Sequence, residues 1–381
     1  MSDRIYRPSY VNVDLDAISD NYKAVGRLHP NKTVIAVVKA NGYGLGATQI
    51  AKHLHQQGAE FFAVATLDEA IELRMHGIKA KILILGIIEP KDVRKASQHR
   101  LALTVPGLSW LREALDYLEE DDKPLWMHLK VDSGMGRIGM RDAEEYQQAV
   151  DLVEQSSQTI FEGVYTHFSC ADEDNDSAQV AYQLFLDIIH TKDLPPFVHC
   201  QNSAAILRFD ASDCTAVRLG ISLYGYYPSQ FIRDIATVKL KPAMQLVSTV
   251  NFVKEVQAGD TISYGATYHA LTDESIATFP LGYADGLNRK LQGYHINLAG
   301  QSAEIVGRIC MDQFLARVPK GTAIGTKAII IDHHHDSDQS IEKVAELLGT
   351  ISYEVLTSLG RRLPKCYISS GDTKKYNELL K

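Results

Sequence analysis

Apolar runs of strand length recur through the first two thirds of the chain, at 34–38, 61–65, 82–85, 101–105, 126–131, 163–167, 198–201 and 217–222. The first four are near-continuous in Val, Ile, Leu, Phe and Ala, as strands covered on both faces are, and do not alternate as half-exposed strands do. Between them lie segments with helical periodicity or helix-start signals, such as 67–74 and 143–155, at about 26 residues per strand–helix unit. Strand alternating with helix predicts parallel strands. Eight such units fit a (β/α)8 barrel, expected over roughly residues 14–235, better than an open doubly wound sheet of about five or six strands.

After Lys241-Pro242 the texture changes to closely spaced short strands at 244–253, 275–279, 295–298, 303–306 and 327–331, separated by Gly and Asp turns. Helices at 341–348 and 353–359 interrupt them. The predicted architecture is therefore an α/β protein, a TIM-type barrel over residues 1–238 followed by a mainly β C-terminal domain over 239–381, with residues 1–13 a candidate for pairing with the second domain. No low-complexity linker separates the two.

Composition narrows the function classes. With 45% hydrophobic and 23% charged residues in 381, the chain is globular and has ample material for a core. The 39 basic against 47 acidic residues give a net charge of -8, with no basic block to neutralise a run of phosphates, so nucleic acid is not an expected partner. No apolar window reaches the length of a membrane span and the first residues lack a signal-peptide core, so a cytoplasmic protein without membrane contact is expected. The five cysteines, Cys170, Cys200, Cys214, Cys310 and Cys366, are never spaced C-x-x-C and read as reduced packing residues.

Chemistry is expected at strand tips. In Val37-Val-Lys-Ala-Asn-Gly-Tyr-Gly-Leu-Gly-Ala47 a β-branched strand ends at Lys39 and opens into a glycine-rich turn. A lysine at the C-terminal tip of a barrel strand, shielded from water, can have its pKa lowered enough to attack a carbonyl and form a Schiff base. The same stretch contains Gly42-x-Gly44-x-x-Ala47, with Asp68 at the spacing of a ribose-binding acid, but a dinucleotide fold would not continue into eight repeating units. At the fifth strand, Leu129-Lys-Val-Asp-Ser-Gly-Met-Gly-Arg-Ile-Gly139 places Lys130, Asp132 and Arg137 where they can converge, Arg137 offering a planar fork for an oxyanion. A purely structural ion pair is the bland alternative for Asp132.

Together the Lys39 and Arg137 motifs resemble those of the alanine racemases, pyridoxal-phosphate enzymes of fold type III. The likeness runs over essentially the whole chain: Val164-Tyr-Thr-His-Phe168, His199-Cys-Gln-Asn-Ser-Ala204, Val217-Arg-Leu-Gly-Ile-Ser-Leu-Tyr-Gly225, Ser263-Tyr-Gly-Ala-Thr-Tyr268, Gly282-Tyr-Ala-Asp-Gly286 and Gly307-Arg-Ile-Cys-Met-Asp-Gln313. The resemblance implies that Lys39 carries the cofactor and is one catalytic base, with Tyr264 the other. Racemisation needs a proton taken from one face and returned to the opposite face, a task for two bases, and both side chains must have their pKa values lowered to serve near neutrality.

The resemblance also implies Arg218 against the pyridine nitrogen, and Tyr43, Ser203, Tyr353 and the amides of Gly220 and Ile221 around the phosphate. His167 would lie by the cofactor ring and His199 in support. Arg137 would reach the phenolic oxygen, and Met311 and Asp312 would complete the substrate pocket. In many family members the lysine matching Lys130 is carbamylated and holds that arginine. The implied assembly is a head-to-tail homodimer with shared sites, making D-alanine for peptidoglycan. Two rivals remain: racemisation of another small amino acid such as serine, or decarboxylation on a related barrel; and a non-catalytic pyridoxal-phosphate-binding barrel, which would lack the second domain. The run Ile331-Asp-His-His-His-Asp-Ser-Asp338 reads as a solvated turn, and nothing in the chemistry calls for a metal.

Overall fold

The computed structural model describes residues 5–380; residues 1–4 and 381, the outer ends of the two expected domains, lie outside the described residues. The chain gathers into two compact units. One comprises Ser19–Gly42 and Ala47–Leu240; the other comprises Met1–Ile18, Tyr43–Gly46 and Lys241–Lys381.

The first unit is a barrel of eight parallel strands: Thr33–Val37, Phe61–Val64, Lys81–Ile84, Ala102–Val105, Leu125–Lys130, Thr159–Tyr165, Phe197–His199 and Ala216–Leu219. The first and eighth pair directly, and the gap between the seventh and eighth is bridged by Thr215 N to Val198 O at 2.9 Å and Arg218 N to Gln201 O at 3.0 Å, so the barrel is nearly closed. Phe61–Val64, Ala102–Val105 and Ala216–Leu219 are buried throughout, which is why their sequences are continuously apolar. Helices start where a side chain can accept an orphan amide: Thr66 takes Glu69 N, Asp142 takes Glu145 N and Asn202 takes Ala205 N. All eight expected runs overlap observed strands. The sixth begins earlier than its apolar run because Ile160 is exposed and Glu162, polar yet buried, interrupts the pattern.

The second unit is built on a ten-stranded sheet. Its strand Ser9–Asp14 lies between Met244–Thr249, antiparallel, and Lys365–Ser369, parallel. The expected single strand 244–253 is two, because Met244–Thr249 pairs with Lys327–Ile331 whereas Phe252–Val256 pairs with Glu274–Phe279. The edge strand Asp372–Tyr376 is polar throughout and left no hydrophobic signature; charge on an edge discourages further pairing. Buried Asp285 accepts both Arg7 guanidinium nitrogens, at 2.9 and 2.7 Å, and the Gly282 amide at 3.0 Å. Gly282 must lack a side chain, since a Cβ there would overlap the carbonyls of Cys310 and Met311. The amides of Tyr283 and Ala284 bond those carbonyls, each at 3.0 Å, so the Gly282–Gly286 motif is a brace for 310–312.

Candidate active site

Lys39 follows the first strand directly, and the chain then turns left-handed: Ala40, Asn41, Gly42 and Tyr43 have φ of 51°, 52°, 62° and 53°. For residues with a Cβ this conformation costs about 1–2 kcal/mol each, so something must hold it. Val38 O accepts Gly42 N at 2.8 Å, Asn41 Oδ1 accepts Ala47 N at 3.1 Å, and Glu69 accepts Ala40 N at 2.6 Å. The other oxygen of Glu69 accepts Ala65 N at 2.8 Å, so one carboxylate joins the tips of the first two strands. Glu69 was not among the expected site residues. Its signal was the Thr66-x-x-Glu69 capping pattern, whose acid is diverted here from the cap to the Lys39 turn.

The amine of Lys39 is lowered from its ordinary pKa by burial and by the charges of Arg137 and Arg218, against the opposing pull of Glu69. Lys130, which ends the fifth strand, is lowered to about 7 by burial and by Arg218 and Arg137, with Asp132 opposing. Its Nζ donates to Val131 O at 2.6 Å and lies 5.3 Å from the Tyr165 ring centre. Asp132 accepts the amides of Gly136 and Gly134 at 2.9 and 3.2 Å, and against the upward pull of burial these hold its carboxyl below the usual range. It thereby shapes the loop that carries Arg137, whose guanidinium is exposed. His167 reports how these groups converge: burial, then Arg218, Arg137, Lys130 and Lys39, push its imidazolium form well below the usual range.

Arg218, on the eighth strand, is buried and donates to His199 Nδ1 and His199 O, each at 2.8 Å, to Thr166 O at 2.7 Å, to Cys200 O at 3.0 Å and to His167 Nδ1 at 3.3 Å. No carboxylate touches it among the described residues. Beside it, Ser203 Oγ accepts the amides of Gly220 at 3.0 Å and Ser222 at 3.3 Å. With both lone pairs used, the hydroxyl proton is left to donate outward. The Gly220 amide is thus directed at Ser203, and Ile221 opens the 3-10 turn Ile221–Tyr224. The barrel therefore brings together Lys39, Lys130, Arg137, His167, His199, Ser203, Arg218, Gly220 and Ile221.

The remaining expected residues belong to the second unit. Tyr43 and Tyr353 face each other with ring centres 6.2 Å apart, and burial pushes the Tyr43 hydroxyl up. Tyr264 opens a short 3-10 turn after Ser263, with 70% of its surface exposed, and Met311 is 53% exposed. Ser263 Oγ donates to Arg308 O at 2.5 Å, tying the Tyr264 turn to the Met311 segment, and Asp312 pairs with Arg362 at 2.7 Å. The His-rich run is a turn closed by a bridge from Asp332 to Ser340. Asp332, His333 and His334 bring ligand atoms within 4.8 Å of one another, but Asp332 already accepts Gln245 Nε2 at 3.1 Å and His333 N at 2.8 Å. All five cysteines are free, with the Cys200 and Cys214 sulfurs 3.2 Å apart. Among the described residues no helix is long and apolar enough to cross a membrane.

A nearly closed parallel barrel with a lysine and a cation cluster at its strand tips, followed by a mainly β domain, defines a barrel enzyme of the amino-acid racemase class. The chain belongs to the alanine racemase family: residues 13–228 match the model described as alanine racemase, N-terminal domain, and 243–367 that of the C-terminal domain. It is 63% identical over 381 residues to an alanine racemase of Macrococcus caseolyticus, and 52% identical over 382 residues to one of Staphylococcus epidermidis, each alignment covering 100% of both chains. Among solved structures it resembles alanine racemase from Bacillus anthracis with bound L-Ala-P, at 40% identity and a TM-score of 0.94 over 99% of both chains. A histidine racemase from Leuconostoc mesenteroides is also similar, at 29% identity and a TM-score of 0.89, covering 97% of this chain and 100% of that one.

Proposed function

We propose that the chain interconverts L-alanine and D-alanine with pyridoxal 5'-phosphate, using Lys39 and Tyr264 as the two bases, and that it supplies D-alanine for peptidoglycan in the cytoplasm. What carries this reading is the cluster of basic side chains, Lys39, Lys130, Arg137 and Arg218, gathered at the strand tips around His167, to which Arg218 donates at 3.3 Å. Such a site suits a ligand bearing phosphate, phenolate and carboxylate oxygens, and the donor set fits the cofactor in kind. Lys39 would bond its aldehyde, Ser203, Ile221, Tyr43 and Tyr353 would hold its phosphate, with Gly220 orienting Ser203 through its amide, and Arg137 would meet its phenolic oxygen. When bound, the cofactor withdraws electrons from the amino acid's Cα and makes the proton there removable.

Lys39, with its lowered pKa, takes or returns that proton on one face. Tyr264 does the same on the other. Arg218 can only donate, so it would hold the ring nitrogen of the cofactor as an unprotonated acceptor, which would limit electron withdrawal and restrain transamination. His167 and His199 keep Arg218 in place, Lys130, when carbamylated, would hold Arg137, and Met311 and Asp312 bound the substrate. The unit of Ser19–Gly42 and Ala47–Leu240 would then be the cofactor barrel, and the unit built on Lys241–Lys381 the one that supplies Tyr264, Met311 and Asp312. The exposure of Tyr264 and Met311 supports a head-to-tail homodimer in which these complete the site of the partner subunit.

The test is polarimetry of the cofactor-loaded protein with L-alanine and L-serine, beside Lys39→Ala. Rotation of L-alanine should decay to zero, and Lys39→Ala should lose both this and borohydride-trapped cofactor. Faster decay with serine would replace the substrate assignment; cofactor still trapped in Lys39→Ala would replace the lysine.

A further inference from the structure

A file of buried polar side chains runs through the barrel from the site to its opposite mouth. Arg218 donates to His199 Nδ1 at 2.8 Å, His199 Nε2 lies 2.9 Å from His128 Nδ1, and His128 Nε2 lies 3.2 Å from a carboxylate oxygen of Glu162. The second oxygen of Glu162 takes the amine of Lys81, the first residue of the third strand, whose side chain reaches solvent.

Donor counting fixes the direction of every bond. A guanidinium only donates, so His199 Nδ1 accepts and carries no proton. Burial first, then Arg218, keeps His199 neutral, so its one proton sits on Nε2 and points at His128 Nδ1. Burial also lowers the His128 pKa, and the proton of the neutral ring sits on Nε2, directed at Glu162. All the protons point from Arg218 towards the acid.

Two local irregularities serve this file. The pairing of the fifth and sixth strands jumps from Met127 opposite Phe161 to His128 opposite Gly163, leaving Glu162 as the extra residue of a bulge, a device that re-aims a side chain. Gly163 must be glycine, because a Cβ there would fall within the His128 ring. Tyr165 stacks on His199 with ring centres 4.8 Å apart and planes 6° from parallel, fixing the imidazole's orientation. Glu162, itself paired with Lys81, is the acid that closes the file at its far end.

We propose that Glu162 and His128 are positioning residues for Arg218: with His199 they form a one-directional relay that sets both imidazole tautomers and fixes the guanidinium plane. The relay stands on the barrel's own side chains. Its effect on turnover rests on the reading of Arg218 as the ring-nitrogen donor.

Neutron diffraction from crystals of the holoenzyme tests the relay directly. A deuteron is expected on Nε2, and none on Nδ1, of both His199 and His128; a deuteron on Nδ1 of either overturns it. This result stands whether or not alanine is the substrate, so failure of the functional reading is seen separately, by polarimetry. A double-mutant cycle tests the action through Arg218. Glu162→Gln should lower kcat about 10–100-fold in both directions, as loss of a supporting shell does, while KM stays within about twofold. In an Arg218→Lys background the same substitution should change kcat by less than about twofold. Equal losses in both backgrounds would overturn the proposal. If Glu162→Gln fails to fold, the tautomers decide alone.

Discussion

One oxygen of the Glu69 carboxylate accepts the amide of Ala40 at 2.6 Å, and through this bond the helix after the second strand holds the left-handed turn that follows Lys39. One acid thus acts on both Lys39 and the strained backbone that follows it. Because strain in such turns persists only where the surroundings over-determine it, Glu69 has two separable effects, one steric and one electrostatic.

Glu69→Ala removes the acceptor of two amides and should destabilise the protein by about 1–3 kcal/mol in urea unfolding, with Glu69→Gln costing less. The electrostatic effect has the opposite character. The Glu69 charge favours protonated Lys39, so Glu69→Gln should lower the Lys39 pKa further. The pH profile of reductive methylation at Lys39 in the cofactor-free protein, followed by peptide mass spectrometry, should move to lower pH. Movement to higher pH would mean that the carboxylate does not act on the amine.

Lys130 carries the largest resolved depression among the site's amines, to about 7 from 10.5, with burial the leading cause. A folded-state pKa below the unfolded one means that folding disfavours the proton, so the penalty is full below pH 7 and is relieved as pH rises from about 7 towards 10.5. Lys130→Met should therefore raise Tm more at pH 6 than at pH 9, and a uniform change across that range would contradict the sign. The neutral amine available near pH 7 is also the form that adds carbon dioxide, so 13C-bicarbonate should give a carbamate signal that Lys130→Met lacks.

Cys200 and Cys214 share one contact but not one acidity. Burial pushes the Cys200 thiol well up, while the hydrogen bond from Cys200 lowers that of Cys214. Both are buried, as is Cys366, so acidity cannot be expressed as reactivity in the folded protein. Iodoacetamide should label Cys170 and Cys310 first and the other three only on unfolding. Fast labelling of Cys214 in the folded state would show that the turn before the strand Ala216–Leu219 opens locally.

The barrel was legible because both faces of its strands are covered, so the first four were near-continuous apolar runs and the later ones apolar runs broken by few polar residues, with helices filling the intervals. The second unit was less legible. Its strands are short and partly polar, and Ser9–Asp14 gains its place only by pairing with segments more than 200 residues away, at Ser248 for instance. Lys39, Arg137 and Arg218 stood out as charges at strand tips. Glu69, His128 and Glu162 did not, for different reasons: Glu69 sits in a capping pattern, Thr66-x-x-Glu69, His128 falls inside the run 126–131, where a lone polar residue reads as noise, and Glu162 lies just before the run 163–167. Only the bulge that turns Glu162 inward makes it meaningful, and a bulge leaves no mark on the hydrophobic pattern.

Tyr264→Phe tests the two-base reading where it is most exposed. The side chain is 70% exposed on the second unit and braced through Ser263 and Arg308, so removing its hydroxyl should leave folding and cofactor attachment by Lys39 unchanged. What it removes is a proton carrier on one face. A positioned general base contributes about 10²–10⁴-fold, so racemisation should fall by that factor. Lys39 still exchanges the α-proton on its own face; in deuterated water the variant should wash deuterium into one enantiomer without inverting it. The shared-site reading adds a concentration dependence: wild-type activity per subunit should fall on dilution through the dimer transition seen by light scattering, while bound cofactor falls less. Mixing Tyr264→Phe with Lys39→Ala should then recover activity, because a mixed dimer pairs one intact Lys39 with one intact Tyr264 in a single site. Near wild-type rates for Tyr264→Phe in both directions, or no recovery on mixing subunits that exchange, would reduce Tyr264 to a surface residue and leave Lys39 without its partner.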